Sequence, residues 1–318
     1  MTHDGFHASD ALNFLYLALY RAYIALTKTF GARLFRSGRQ GHTKFEQTKE
    51  FIKRRVLRSR KIWVQVQSGF AQGLWMHLRI PEEAGFWRGE HEPGVQHAIS
   101  AIVRSGDVVY DVGAHLGSLT LGAARLVGAS GRVVAFEADP QNIELLRENI
   151  LRNHLESCMQ VVHAAVWSHP AETGIAFRRG SIEMSHGGVE ADGHRPVLGN
   201  GQLISVPVTT LDDFLARGGL PPRLIKIDVE GGEYEVLRGA PNLFASHRPL
   251  LIVEIHHQAA AEKIRLWLEE VHYSAEWRVP EEQFPCCVIA WPAEHSHPIP
   301  GPEARTATGD PARDSRTH

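Results

Sequence analysis

The sequence predicts a mostly parallel α/β sheet preceded by a helical extension, and three observations carry that expectation. From Val108 onward, short apolar runs alternate with longer segments whose apolar residues recur at helical spacing. Gly113 and Gly117 stand where the first of these strands gives way to the first helix, and they let the backbone there approach a ligand closely. Before residue 61 the chain is instead basic and patterned for helix.

Four segments follow from these shifts: a basic helical extension over 1–60, a strand pair and lead-in over 61–100, an α/β domain over 101–293, and a disordered tail over 294–318. Over 11–30, Leu12, Leu15, Leu19, Tyr23, Leu26 and Phe30 recur at helical spacing, while Arg21 and Lys28 share another face. The longest uncharged run there, 11–20, is ten residues, and a membrane span needs about 20. This helix is therefore expected to lie on a membrane or on its own domain, not to cross a bilayer. Alternation over 62–67 and a second run over 74–80 predict the strand pair. The α/β part reads as strands at 108–112, 132–137, 160–166, 224–229 and 250–255. Its helices fall at 116–127, 140–154, 233–238 and 259–271, with Pro140 suited to a first helical turn. Segments 275–279 and 287–291 add an antiparallel edge. The glycine-rich stretch 174–202 reads as a long loop over the site or a small hairpin insertion. After residue 294 the chain is rich in Pro, His, Arg and Thr with no apolar period, hence the tail.

Composition excludes a disordered protein, a collagen-like repeat and a disulfide scaffold: 43% of the 318 residues are hydrophobic and only three are cysteine. Cys158, Cys286 and Cys287 have no metal-ligand spacing, which points to a reducing compartment. Asp4 and Asp10 stand where a secretory leader would be basic, so the expected location is cytoplasmic, with membrane association left open. The net charge of −2 conceals an asymmetry, because residues 21–61 hold 13 Lys or Arg against two acids. A basic arm on an acidic body reads either as solvated helix faces or as contact with an anionic membrane through residues 11–61. No nucleic-acid partner is expected.

The segment VVYDVGAHLGSLTL, residues 108–121, runs strand, glycine turn, helix. Its turn is not G-x-G-x-x-G, and Asp111 ends the strand, where it would repel the pyrophosphate of a dinucleotide. A sulfonium cofactor has no phosphate and carries positive charge, so Asp111 becomes favourable. The second strand ends VVAFEADP, and Glu137 there can accept hydrogen bonds from ribose hydroxyls. Asp111, Gly113, His115, Gly117, Glu137 and Ala164 form the expected cofactor-binding set.

The blocks VVYDVGAHLG, VVAFEADP, VTTLDDFL, LIKIDVEGGEYEVLRGA and LIVEIHH resemble, in order and spacing, the FkbM family of S-adenosylmethionine-dependent methyltransferases. GEHEP at residues 89–93 is similar to that family's opening motif. The resemblance spans about residues 89–279. It implies a Rossmann-like, seven-stranded class I methyltransferase sheet and methylation of a hydroxyl on a sugar, polyketide or related metabolite. His115 departs from the pattern, since many methyltransferases outside the family carry glycine there.

Methyl transfer from a sulfonium is an in-line displacement, so alignment of the acceptor oxygen is the main requirement. A hydroxyl is a poor nucleophile, and a base or metal should take its proton. Asp228, Glu254 and His256 are the candidate catalytic residues, at the carboxyl ends of the fourth and fifth strands. Either His256 or Asp228 is the base, and Glu230 either joins them or caps the following glycine turn. Asp228, Glu254 and His256 also suit Mg²⁺ or Mn²⁺, but metal-independent base catalysis is the preferred reading. Two other readings share parts of this pattern: a nicotinamide-dependent oxidoreductase, which leaves Asp111 and KIDVEGGEYEVLRGA unexplained, and a non-catalytic adenosylmethionine-binding module.

Overall fold

The computed structural model describes residues 8–34, 58–169, 175–178, 188–190, 203–278 and 283–299. The chain forms two compact units, Met1–His91 and Glu92–His318. No helix among the described residues is long and apolar enough to cross a membrane.

The first unit contains α1 (Ala8–Leu34), the antiparallel pair β1 (Arg60–Gln65) and β2 (Trp75–Ile80), and α2 (Ala84–Arg88). Arg60 pairs with Ile80 and Gln65 with Trp75. Alternation puts Ile62, Val64, Met76, Leu78 and Ile80 on the buried face. From α1, this unit buries Tyr16 and Tyr20, whereas Leu15, Leu19 and Leu26 of the stripe read from the sequence are exposed. Most of the basic arm, residues 35–57, lies outside the described residues.

The second unit runs α3 (Pro93–Ile102), β3 (Val108–Val112), α4 (Ser118–Val127), β4 (Arg132–Glu137), α5 (Pro140–Arg152), β5 (Met159–His163) and β6 (Ala165–Val166). After β7 (Ile175–Arg178), β8 (Gly188–Glu190), β9 (Leu203–Val206) and β10 (Val208–Thr209), it continues with α6 (Leu211–Ala216), β11 (Leu224–Ile227), α7 (Glu233–Arg238) and α8 (Pro241–His247). It ends with β12 (Leu250–Ile255), α9 (Gln258–Glu270), β13 (Tyr273–Trp277) and β14 (Cys286–Pro292). The central sheet has seven strands in the order β13-β14-β12-β11-β3-β4-β5. Strands β12, β11, β3, β4 and β5 pair in parallel, and β14 is antiparallel to both β12 and β13. This is the mostly parallel seven-stranded sheet expected. Its central strands are buried along their length, which is why they read as apolar runs without alternation.

The single strand expected at 160–166 is broken at Ala164. The Ala164 N–H turns to the Glu137 carbonyl, the Ala165 N–H to Pro207, and β6 leaves the main sheet to pair with β10. The strand expected at 224–229 ends two residues early, which leaves Asp228 and Val229 in the connection to α7. Within the stretch 174–202, β7 pairs antiparallel with β8, and β9, just after that stretch, pairs antiparallel on the other side of β7. The rest of that insertion and residues 300–318 lie outside the described residues.

From β3 the chain steps outward through β4 and β5, then returns to place β11 and β12 on the other side of β3. The β3/β11 boundary is therefore a switch point, and ligands of open α/β sheets bind in the crevice at the carboxyl ends there.

Candidate active site

At the end of β3, Gly113 has φ 84°, and a Cβ added to it would lie 1.8 Å from the Asp228 carbonyl oxygen. Gly117, at φ 87°, would drive a Cβ to 2.3 Å from Leu146 Cδ1. Both glycines thus answer to the close approach of neighbouring protein atoms, not only to the approach of a ligand. Between them His115 takes a left-handed φ of 51°. Its backbone N–H donates to Glu137 Oε2 at 2.7 Å. Glu137 Oε1 accepts from the Asp139 N–H at 2.8 Å and from Asn142 Nδ2 at 3.4 Å. Burial pushes the Glu137 carboxyl up, and the Asp139 and His115 N–H groups oppose that shift. A carboxylate has about four acceptor sites, so capacity remains for a ribose hydroxyl. Ala164 adjoins this corner through its N–H bond to the Glu137 carbonyl at 3.1 Å.

Asp111 is buried, and its setting differs from a carboxylate open to a cofactor. Oδ2 accepts from Thr120 Oγ1 at 2.6 Å, and Oδ1 lies 3.3 Å from Lys226 Nζ. Lys226, from β11, also donates to the Gly113 carbonyl at 3.1 Å and to Asp228 Oδ2 at 3.2 Å. Burial alone would lower the Lys226 pKa, but Asp111, Asp228 and Glu92 more than reverse it and raise it. The ammonium therefore ties the glycine turn to Asp228 with its charge intact. Asp111 acts as its counter-ion.

His256 follows β12 and stands among three carboxylates. Its Nδ1 is 2.8 Å from Glu233 Oε1, and its Nε2 is 3.3 Å from Glu230 Oε2 and 3.6 Å from Asp228 Oδ1. Glu233 is fully buried, and its Oε1 also accepts the Gly231 N–H at 2.8 Å. Glu233 thus caps the glycine turn, while Glu230 faces His256. Burial would lower the histidine's pKa, but Glu233, then Glu230 and Asp228, push it up to about 9. The neighbouring His257 does different work: its Nδ1 accepts the Ala260 N–H at 3.1 Å and caps α9. Glu254 is pushed up to about 8 by burial, and then by Asp228 and Glu92.

Two groups of carboxylate and imidazole atoms lie within 4.8 Å of one another: Asp228, Glu230 and His256, and Glu92, Asp228 and Glu254. Asp228 belongs to both. The trio Asp228, Glu254 and His256 read from the sequence is therefore shared between two groups that meet at Asp228. Hard oxygen donors of this kind suit Mg²⁺ or Mn²⁺.

Sequence reasoning overlooked Lys226, Glu233, Glu92 and Thr120. Lys226 carried a usable signal, a lone lysine inside the apolar run LIKI, because a cation buried in a strand needs counter-ions. Glu233 looked like an ordinary first-turn helix acid, and its contact with His256 bridges 23 residues.

A family model described as the methyltransferase FkbM domain matches residues 111–275, or 165 of 318 residues. Over 237 residues the chain is 26% identical to the hexuronic acid methyltransferase AglP of Haloferax volcanii, covering 71% of this chain and 92% of that one. Over 177 residues it is 29% identical to the 31-O-demethyl-FK506 methyltransferase FkbM of Streptomyces tacrolimicus, covering 48% of this chain and 67% of that one. Among solved structures, methyltransferase FkbM from Methylobacillus flagellatus aligns at 16% identity with a TM-score of 0.42, covering 62% of this chain and 54% of that one.

Proposed function

The chain belongs to the FkbM methyltransferase family and is an S-adenosylmethionine-dependent methyltransferase, and from that premise we propose that it methylates a hydroxyl of a sugar, sugar acid or related small metabolite. The observation that carries this reading is the cluster of Asp228, Glu230, His256 and Glu254 beside the Gly113 turn, at the switch point of the sheet. The longer of the two relative matches, to a hexuronic acid methyltransferase, favours a sugar-type acceptor.

The residues fit the cofactor. Glu137 offers spare acceptor capacity to a ribose, and Gly113, His115, Gly117 and Ala164 shape the turn and strand end around it. When bound, the cofactor supplies an electrophilic methyl on a sulfonium. The acidic surplus around Lys226 suits that cation. Asp111 contributes by holding Lys226, which fixes the turn and Asp228 together.

Of the two candidate bases, the geometry favours Asp228. With Glu233 on Nδ1 and a pKa near 9, His256 is an imidazolium at neutral pH and has no lone pair for a proton. Asp228 then accepts the hydroxyl proton as the methyl transfers, and His256 orients Asp228 and Glu230. Glu254, protonated at neutrality, offers a hydrogen-bond donor beside Asp228. Glu233 is a positioning residue for His256. A divalent metal at Asp228 is the second reading, supported by the two groups of donors that converge there.

The test is labelled S-adenosylmethionine offered to fractionated extract, with mass identification of the methylated product. Product in a sugar-containing fraction supports the proposal. Labelling confined to protein or nucleic acid overturns it. Calorimetry should also show adenosylmethionine binding without detectable NAD binding, and loss of turnover in chelator would move the proton-transfer role to a metal.

A further inference from the structure

The first unit carries a surface that methyl transfer does not explain. Among its described side chains, Tyr16 and Tyr20 bury one face of helix α1 against its own unit. Tyr16 Oη donates to the Ile80 carbonyl at 2.6 Å and to the Arg58 carbonyl at 2.9 Å, and the Tyr20 ring packs 6.2 Å from Trp87. On the other side, Phe14 is 70% exposed, Leu15 56%, Leu19 52% and Leu26 57%. Ala18 and Ala22, also exposed, lie between them. At 100° per residue these six positions span an arc of about 140°, wider than a helix needs to bury one apolar stripe. Arg21 borders that arc, exposed, with its guanidinium 5.0 Å from the Trp87 ring.

We propose that α1 is an interfacial helix which lays Phe14, Leu15, Leu19 and Leu26 on an anionic lipid bilayer, with the exposed Arg21 at the edge of that face meeting the headgroups. Charge decides the occupant. Residues 21–61 hold 13 Lys or Arg and two acids, and Arg58, Arg60 and Lys61 are exposed at the start of β1. A second copy seated on the same face would bring two such arms together at the cost of mutual repulsion. A nucleic acid would match the charge but would leave the leucines unused. An anionic membrane satisfies both, by apolar insertion beside a polybasic segment. The helix does not need to leave its unit for this, because the tyrosine face that anchors it is not the face that inserts. Attachment of this kind brings the enzyme to acceptors held at a membrane surface.

Vesicle flotation with the full chain tests the proposal. Vesicles of phosphatidylcholine with phosphatidylglycerol should carry the protein upward, with binding at least about tenfold stronger than to pure phosphatidylcholine. That binding should weaken in about 0.5 M salt. The double variant Leu15→Glu/Leu19→Glu changes only exposed side chains, so it should keep its circular dichroism and adenosylmethionine affinity while losing flotation. Failure of the native chain to float, or flotation that the double variant retains, overturns the proposal. So does a native dimer that the double variant dissolves, which would assign the face to a second copy. Equal binding of RNA by native and variant chains without flotation would leave only a basic arm for nucleic acid, and would also sink it.

Discussion

At the scale of single residues, the site is a charge network around one buried lysine and one held histidine. Lys226 bonds to Gly113, Asp111 and Asp228 at once, so the conformation of the turn and the place of the proposed base are set by the same ammonium. Glu137 anchors the opposite side through the backbone of His115 and Asp139. Changing Glu137 to Gln keeps its volume but removes the charge, and a hydrogen bond to a charged acceptor is worth about 1.5–3 kcal/mol. Calorimetry should therefore show adenosylmethionine affinity down by at least about tenfold. Gly113→Ala is a test of the turn itself. Its Cβ meets the Asp228 backbone at 1.8 Å in a left-handed conformation, so urea unfolding should show a loss of at least about 3 kcal/mol. Proton transfer has its own signature. If Asp228 is the base and His256 the imidazolium that orients it, turnover holds at neutral pH and falls as pH passes about 9. A rate that climbs toward pH 9 would return the role of base to His256. Glu233→Gln should move that alkaline limb to lower pH, which a merely structural role for Glu233 would not do.

At the scale of elements, capping explains motifs that look like plain sequence matches. In VTTLDDFL, Thr210 accepts the Asp213 N–H at 2.9 Å and caps α6. Asp212 reaches 30 residues ahead to accept the Asn242 and Leu243 N–H groups at 2.9 and 2.8 Å, and so caps α8. Each loss should cost about 1 kcal/mol. In hydrogen exchange, Asp212→Ala should loosen α8 and Thr210→Ala should loosen α6. These elements also show where the sequence was readable. Strands β3, β4 and β12 and helix α7 fall on the expected residues, because strands buried on both faces and a helix opened by Gly-Gly leave strong local signals. Helix α3 was not anticipated, and neither were the short helices α2, α6 and α8, which have too few turns to show a period. The break at Ala164 was hidden for another reason: it depends on the Ala165 N–H meeting the Pro207 carbonyl and on β6 pairing with β10, more than 40 residues away. The α1 stripe was legible as a period but not in its direction. Nothing local told that Tyr16 and Tyr20, not the leucines, would face the hairpin.

At the scale of the whole molecule, the crowded site makes stability depend on pH in one direction. Burial, then Asp228 and Glu92, push Glu254 from an ordinary 4.5 up to about 8. A carboxyl raised by folding favours its protonated form in the native state. Its contribution is complete below pH 4.5 and is lost as pH rises to about 8. For His256, burial lowers and Glu233 chiefly raises, from 6.5 to about 9. A histidine raised by folding contributes fully below pH 6.5, and the contribution fades as pH rises through 9. The two windows overlap and have the same sign, so stability should decline steadily from pH 5 to pH 9. Glu254→Gln removes the first window and leaves the second. Urea unfolding at a series of pH values should then find that the variant loses less stability between pH 5 and pH 7 than the native chain does. A native chain that instead gains stability between pH 5 and pH 7 would mean that Glu254 is ionised there. A divalent cation beside Asp228 would hold Glu254 ionised, and chelator that abolished the gain would identify it as a metal at that residue.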